Sequence, residues 1–151
     1  MQQEQHKRNP AKVYLQRYRW LKKEKDTLAA EVRELYASAT RITACTDGIK
    51  VQASGIYDKM AENVVRAADA AARLTDAERR IDEQLRDILS LIDGLSDERY
   101  RAVLLLRYIR CESWVKISME MDYQEAQIYR LHGKALKELN EILAAREKQS
   151  E

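Results

Sequence analysis

The sequence predicts an all-α protein in which a long N-terminal helical hairpin or coiled coil precedes a compact helix-turn-helix domain. Three observations carry this expectation. The 151 residues include only 4 Gly and 1 Pro, lack Phe, and are 34% charged, a composition that favours helices and elongated parts. Apolar residues then recur at alternating spacings of four and three over two long stretches. After Asp93-Gly94 the pattern changes to three short amphipathic segments.

The first helix is expected to begin at Asn9-Pro10. Asn is a favoured N-cap, and Pro at the first helical position gives up an N–H that has no intrahelical partner. Tyr14, Tyr18, Leu21, Leu28, Val32 and Leu35 form a heptad-like seam, interrupted at Lys25, that places this helix at about 10–38. Residues of about 40–57 lose the period, and Asp47-Gly48 and Ser54-Gly55 are turn or breaker pairs, so a connection is expected there.

The second helix is expected over about 58–92. Met60, Val64, Ala67, Ala71, Leu74, Ile81, Leu85, Ile88 and Ile92 keep the spacing, with Glu78 as the charged intrusion. At 1.5 Å per residue such a helix is about 50 Å long. A helix of this kind owes most of its stability to packing its apolar face. The two seams can satisfy each other as an antiparallel hairpin, or they can pair with a second chain to make a homodimer through the helical arm. The alanines at 67, 68, 70, 71 and 72 permit close approach. Asp93-Gly94 ends the helix, with Gly where a left-handed residue is tolerated. The chain thus divides into a helical region, 1–94, and a C-terminal domain, 95–151.

In the second part, Ser96 is the expected N-cap of a helix over Asp97–Arg110, whose apolar surface is Tyr100, Val103, Leu104, Leu106 and Tyr108. Ser113 caps a short helix, Trp114–Met121, with Trp114, Ile117 and Met121 inward. Asp122-Tyr123 makes a tight turn. A longer helix runs from Gln124 to about Arg146 with Ile128, Leu131, Ala135, Leu139 and Ile142 on one face. A short helix, a turn and a second helix with a polar leading edge is the helix-turn-helix pattern. An ordinary three-helix bundle has the same periodicity, so the pattern alone leaves both open.

The side chains on the second helix favour double-stranded DNA as partner. Gln124, Glu125, Gln127 and Arg130 project forward with Tyr129 beside them; Arg suits guanine, Gln suits adenine, and Glu can accept from cytosine. Arg107, Arg110, Lys116 and Lys134 are placed for phosphates, which position without reading sequence.

Charge is distributed unevenly. Residues 1–25 carry eight Lys/Arg against Glu4 and Glu24, a net +6; residues 26–95 carry nine basic against thirteen acidic groups, a net −4; residues 96–151 carry ten of each. A neutral module releases few counterions and binds weakly by itself. Dimerisation would supply a second recognition helix. Alternatively, Lys7, Arg8, Lys12, Arg17, Arg19, Lys22, Lys23 and Lys25 could touch DNA or RNA polymerase, or form a solvated face, with Tyr14, Tyr18 and Trp20 read as core.

Other function classes find little support. Cys45 and Cys111 are isolated and read as buried or idle thiols. No phosphate loop, metal-ligand spacing or nucleophile motif is present, so no enzyme, cofactor or metal is expected. His132 reads as a local or phosphate contact. No apolar run approaches the roughly 18 residues of a membrane span, and the polar start lacks a signal peptide, so the expected location is cytoplasmic.

The residues from Leu95 to Leu139 resemble the promoter-reading C-terminal domain of bacterial sigma factors. The resemblance lies in Leu95, the run Leu104-Leu105-Leu106-Arg107-Tyr108, Ser113-Trp114, Ile117, Met121, Ile128, Arg130 and the Lys134-Ala135-Leu136 close. Over about Val13 to Leu139 the chain also resembles an uncharacterised phage and prophage family of Gram-positive bacteria. That resemblance rests on Tyr14-Leu15-Gln16-Arg17-Tyr18-Arg19-Trp20-Leu21, Arg41-Ile42-Thr43 and Tyr129-Arg130-Leu131-His132-Gly133. Similar domains occur in regulators of phage late operons of the ArpU and RinA type.

The resemblance implies a sigma-like helix-turn-helix, a bacterial host cell, and base-reading positions at Glu125, Ala126, Tyr129 and Arg130. The chain departs from the sigma pattern in four places. Asp122 stands where the turn usually has Gly, Ser118 replaces a small Ala, Val115-Lys116 replaces an acidic pair, and Glu125-Ala126 brings no positive charge. Three readings follow: a transcription regulator that reads promoter DNA, a packaging component like a small terminase subunit, and an interaction protein that binds RNA polymerase without DNA.

Overall fold

A computed structural model describes residues 9–45 and 53–150, and all regular structure among them is helical. Helix α1 spans Pro10–Cys45, α2 Ala53–Asp93, α3 Glu98–Leu104, α4 Trp114–Met121 and α5 Glu125–Gln149; α3 continues into a π-helical turn, Leu105–Ile109. Among the described residues no helix is long and apolar enough to cross a membrane.

Helix α1 begins where the sequence places it. Asn9 Oδ1 accepts the N–H of Lys12 at 3.2 Å, which satisfies one donor that the first turn leaves orphaned. The helix runs past Ser38 because residues 39–45 contain no Gly or Pro, and loss of apolar period alone does not end a helix. Thr40, β-branched, turns its hydroxyl back to the Tyr36 carbonyl at 2.9 Å. Helix α2 likewise starts at Ala53, five residues before the sequence expectation. Ser54-Gly55 is therefore helical rather than a break, while Asp47-Gly48 lies outside the described residues.

The described residues form two compact units, one joining 9–20 with 82–150 and the other made of 21–45 with 53–81. This grouping follows contacts rather than chain order.

The second unit is an antiparallel hairpin. Glu24 meets Arg80 at 3.3 Å and Glu31 meets Arg73 at 3.4 Å, so numbers rise along α1 as they fall along α2. Ala67, Ala70, Ala77 and Ile81 are buried, while Leu28, Val32, Leu35 and Leu74 are half-buried. Val64, expected in the seam, is 53% exposed; the packed face of α2 is rotated toward Ala70 and Ala77, where small side chains let the helices approach.

The first unit holds the larger core. From α1 it takes Ala11, Leu15 and Tyr18; from α2, Ile88, Leu91 and Ile92; from α3 and the π turn, Val103, Leu104, Leu106 and Tyr108. Ile117 of α4 and Ile128, Leu131, Ala135, Leu136 and Leu139 of α5 complete it. Burying each such Leu or Ile contributes about 1.5–3 kcal/mol of transfer free energy. The register at the start of α1 is 11-15-18, so Tyr14 is half-buried and Trp20, expected in the core, is 67% exposed. Across this unit Arg146 of α5 pairs with Asp87 of α2 at 2.6 Å.

Two expectations at the α2–α3 junction need correction. Gly94 does not take a left-handed conformation; among the described residues positive φ occurs at Cys111 and Asp122 only. Space there is limited, because a Cβ would lie 3.3 Å from the Leu91 carbonyl oxygen, with Ile142 in ordinary contact at 3.5 Å. The N-cap of α3 is Asp97, not Ser96: Asp97 Oδ1 accepts the Arg99 N–H at 2.8 Å. Ser96 is occupied by Glu138 of α5, whose carboxylate takes its N–H at 2.6 Å and its hydroxyl at 2.9 Å. An acid 42 residues away outcompetes the local cap because it offers both groups a charged acceptor.

Candidate nucleic-acid interface

The candidate surface is formed by α4, α5 and the turn between them. Ser113 caps α4 as expected, its Oγ accepting the Lys116 N–H at 3.3 Å. The turn is made by Asp122 at φ 57° and ψ 45°, a left-handed residue that lets the Tyr123 N–H reach the Ser118 carbonyl at 3.0 Å. Gln124 then occupies the cap position of α5 without a side-chain capping bond, so its carboxamide remains available.

Helical spacing sorts the first turns of α5 into two faces. Ile128 (0% exposed) and Leu131 (7%) are sealed against α3 and α4, whereas Gln124, Glu125, Ala126, Gln127, Tyr129, Arg130 and Lys134 all stand exposed. Arg130 and Lys134 make no hydrogen bond or ion pair with the described residues. Beside them runs a shallow groove of about 500 Å³, lined by Arg99, Tyr100, Gln124, Gln127, Arg130 and Lys134.

Arg99 is the groove residue that sequence reading did not single out. It sits in the first turn of α3, and α3 packs on α5. Its guanidinium holds Asp97 at 2.7 Å, which keeps that carboxyl down at about 2. The local signal was present, since Asp97 and Arg99 are two apart at a helix start, but their position beside α5 has no local signature.

The other expected phosphate contacts are spoken for within the protein. Arg107 is half-buried, lies over the Trp114 ring at 4.4 Å and donates to the Glu112 carbonyl at 2.8 Å. Arg110 pairs with Glu120 at 2.6 Å and Glu112 at 3.4 Å, and Lys116 with Glu112 at 2.7 Å. The Lys116 ammonium lowers the Glu112 carboxyl below the usual range. Glu112 thus anchors a self-neutralised corner that the sequence read as cationic. Cys111 forms the bend in this corner at φ 58°, and its thiol is exposed rather than buried.

Behind the exposed face lies an aromatic support. Trp114 meets Tyr129 with ring centroids 5.0 Å apart and His132 at 4.8 Å. His132 Nε2 is hydrogen-bonded to the Tyr108 hydroxyl at 2.9 Å. Burial first, then the charges of Lys12 and Arg107, push the imidazole down to about 4, so it is neutral at physiological pH. His132 therefore packs within the unit, held by Tyr108 and Trp114. Tyr129, 48% exposed, is braced by Trp114 rather than swinging freely. No group of three or more His, Cys, Asp or Glu able to hold a metal occurs among the described residues.

Fold and site together define an all-α protein whose last three helices, completed by the start of α1 and the end of α2, present one polar, partly cationic helix face. The chain belongs to the family described as "Protein of unknown function (DUF1492)", whose model matches residues 38–140. No curated protein matches the chain, and no solved structure does.

Proposed function

We propose that this protein is a DNA-binding transcription regulator, sigma-like in its contact, with α4 and α5 acting as a helix-turn-helix and α5 entering the major groove. The supporting observation is the two-faced character of α5: Ile128 and Leu131 are buried, while Gln127 and Arg130 beside them are exposed and uncommitted. A recognition helix needs that division, apolar at its back and hydrogen-bonding at its N-terminal front. In this reading Gln124, Gln127 and Arg130 read base edges, Ala126 and Tyr129 make apolar contacts, and Lys134 meets a phosphate, while Arg99, held by Asp97, borders the groove. Arg107, Arg110 and Lys116 shape the corner behind them. A phage or prophage setting, a bacterial cytoplasm and a contact with RNA polymerase belong to the same proposal and rest on the sequence resemblance.

The test is selection of bound duplexes from random-sequence DNA, followed by titration of the recovered site with the wild-type chain and Arg130→Ala. The variant is expected to keep its helicity and lose about 1–3 kcal/mol of discrimination, the value of one good base contact. Equal affinity and equal selectivity of the two proteins would refute the assignment of Arg130. Failure of the wild-type chain to enrich any duplex at low salt would refute DNA binding.

A further inference from the structure

We propose that Gly133 is where α5 makes its closest approach to the sugar–phosphate backbone of bound DNA, an inference that rests on the DNA-binding reading above. Gly133 lies inside α5, more than two turns from either end of Glu125–Gln149. Apart from Pro, glycine is the least favourable residue in a helix interior, so its presence calls for a reason. The described residues supply none. Gly133 has an ordinary negative φ, and a Cβ built on it would meet nothing within 4 Å. Gly94 shows the contrast, since there a Cβ would press on the Leu91 carbonyl.

What surrounds Gly133 points outward. Arg130, three residues before it, and Lys137, four after it, lie on the same exposed face, with Tyr129 and Ala126 one and two turns earlier. Bare backbone between two cations is a surface that a polyanion can approach without displacing a side chain. The Lys137 side chain can then reach a phosphate on one side while Arg130, on the other, keeps its base edge. The absent side chain thus brings the helix nearer the strand, and Gly133 is a positioning residue.

The test uses Gly133→Ala and Gly133→Leu in the full chain, with the selected duplex as probe and thermal unfolding recorded in parallel. Open space at the position predicts that Gly133→Ala raises Tm, by about 2–4 °C for a chain of this size. The same change is expected to weaken DNA binding roughly tenfold, on the scale of one lost contact, with Gly133→Leu weaker still. A merely structural glycine cannot give gains in stability with losses in affinity. Unchanged affinity in both variants overturns the inference and leaves the DNA reading intact. A fall in Tm for Gly133→Ala overturns its premise of open space. Absence of duplex binding by the wild-type chain overturns the DNA reading itself.

Discussion

The side-chain oxygen of Asn140 accepts the backbone N–H of Ala11 at 2.7 Å, so a residue of the last helix caps the first turn of the first one. Asn140 Nδ2 also donates to Asn9 Oδ1 at 3.0 Å, while Asn9 caps locally through the Lys12 N–H. One part-buried carboxamide thereby fixes where α1 meets α5. Asn140→Ala is expected to cost about 1–2 kcal/mol, the value of a lost cap in a favourable setting. Asn140→Asp, which keeps the acceptor, should fall between. Urea denaturation measures this, and identical midpoints for Asn140→Ala and the wild-type chain would remove the cap from the account.

Asp122 carries the turn at φ 57°, a conformation that costs a residue with a Cβ about 1–2 kcal/mol unless its side chain is short and polar. Asp122→Gly is expected to stabilise the chain and Asp122→Val to destabilise it by about that amount. The reverse order in thermal melts would show that the aspartate is held by something other than its backbone.

His132 sets an acid limit. Its imidazole titrates at about 4 in the folded protein and near the ordinary 6.5 when unfolded, so between those values the unfolded chain binds more protons. Stability therefore rises with pH through this window and declines as pH falls from about 6.5 to about 4. His132→Gln is expected to flatten that part of the profile, read as unfolding midpoint against pH. A wild-type midpoint that does not move across the window contradicts the burial of a neutral imidazole.

The Glu112 corner predicts a gain of binding by mutation. Glu112→Gln releases Lys116 and loosens Arg110, which retains Glu120. DNA affinity is expected to increase, and the slope of log K against log salt to steepen by about one unit for each cation that reaches a phosphate. A parallel salt dependence for variant and wild type would mean that this corner never faces the duplex.

Local chemistry made much of the fold legible. The Asn9-Pro10 start, the Ser113 cap, the Asp122 turn and the inward set Ile128, Leu131, Ala135 and Leu139 each follow from residues a few positions apart, where propensity and period act directly. The readings that needed correction turn on partners distant in sequence. Ser96 is taken by Glu138, and the 11-15-18 register at the start of α1 reflects the helices packed on it rather than the seam expected from Tyr14. The candidate site divides the same way. Exposure of Gln127 and Arg130 could be read from helical phase, but the capture of Arg107 by Trp114 and of Lys116 by Glu112 required the corner to be assembled. A count of charges does not reveal which ones cancel.

The grouping of residues 9–20 with 82–150 has a consequence for how the molecule is made. During synthesis the start of α1 leaves the ribosome long before Asn140, 129 positions later, exists to cap it. Residues 21–45 and 53–81 can pair with each other in the meantime, since segments near in sequence meet quickly. The unit that carries α5 must wait for translation to reach Asn140, and until then Ala11, Leu15 and Tyr18 are uncovered apolar surface on a nascent chain.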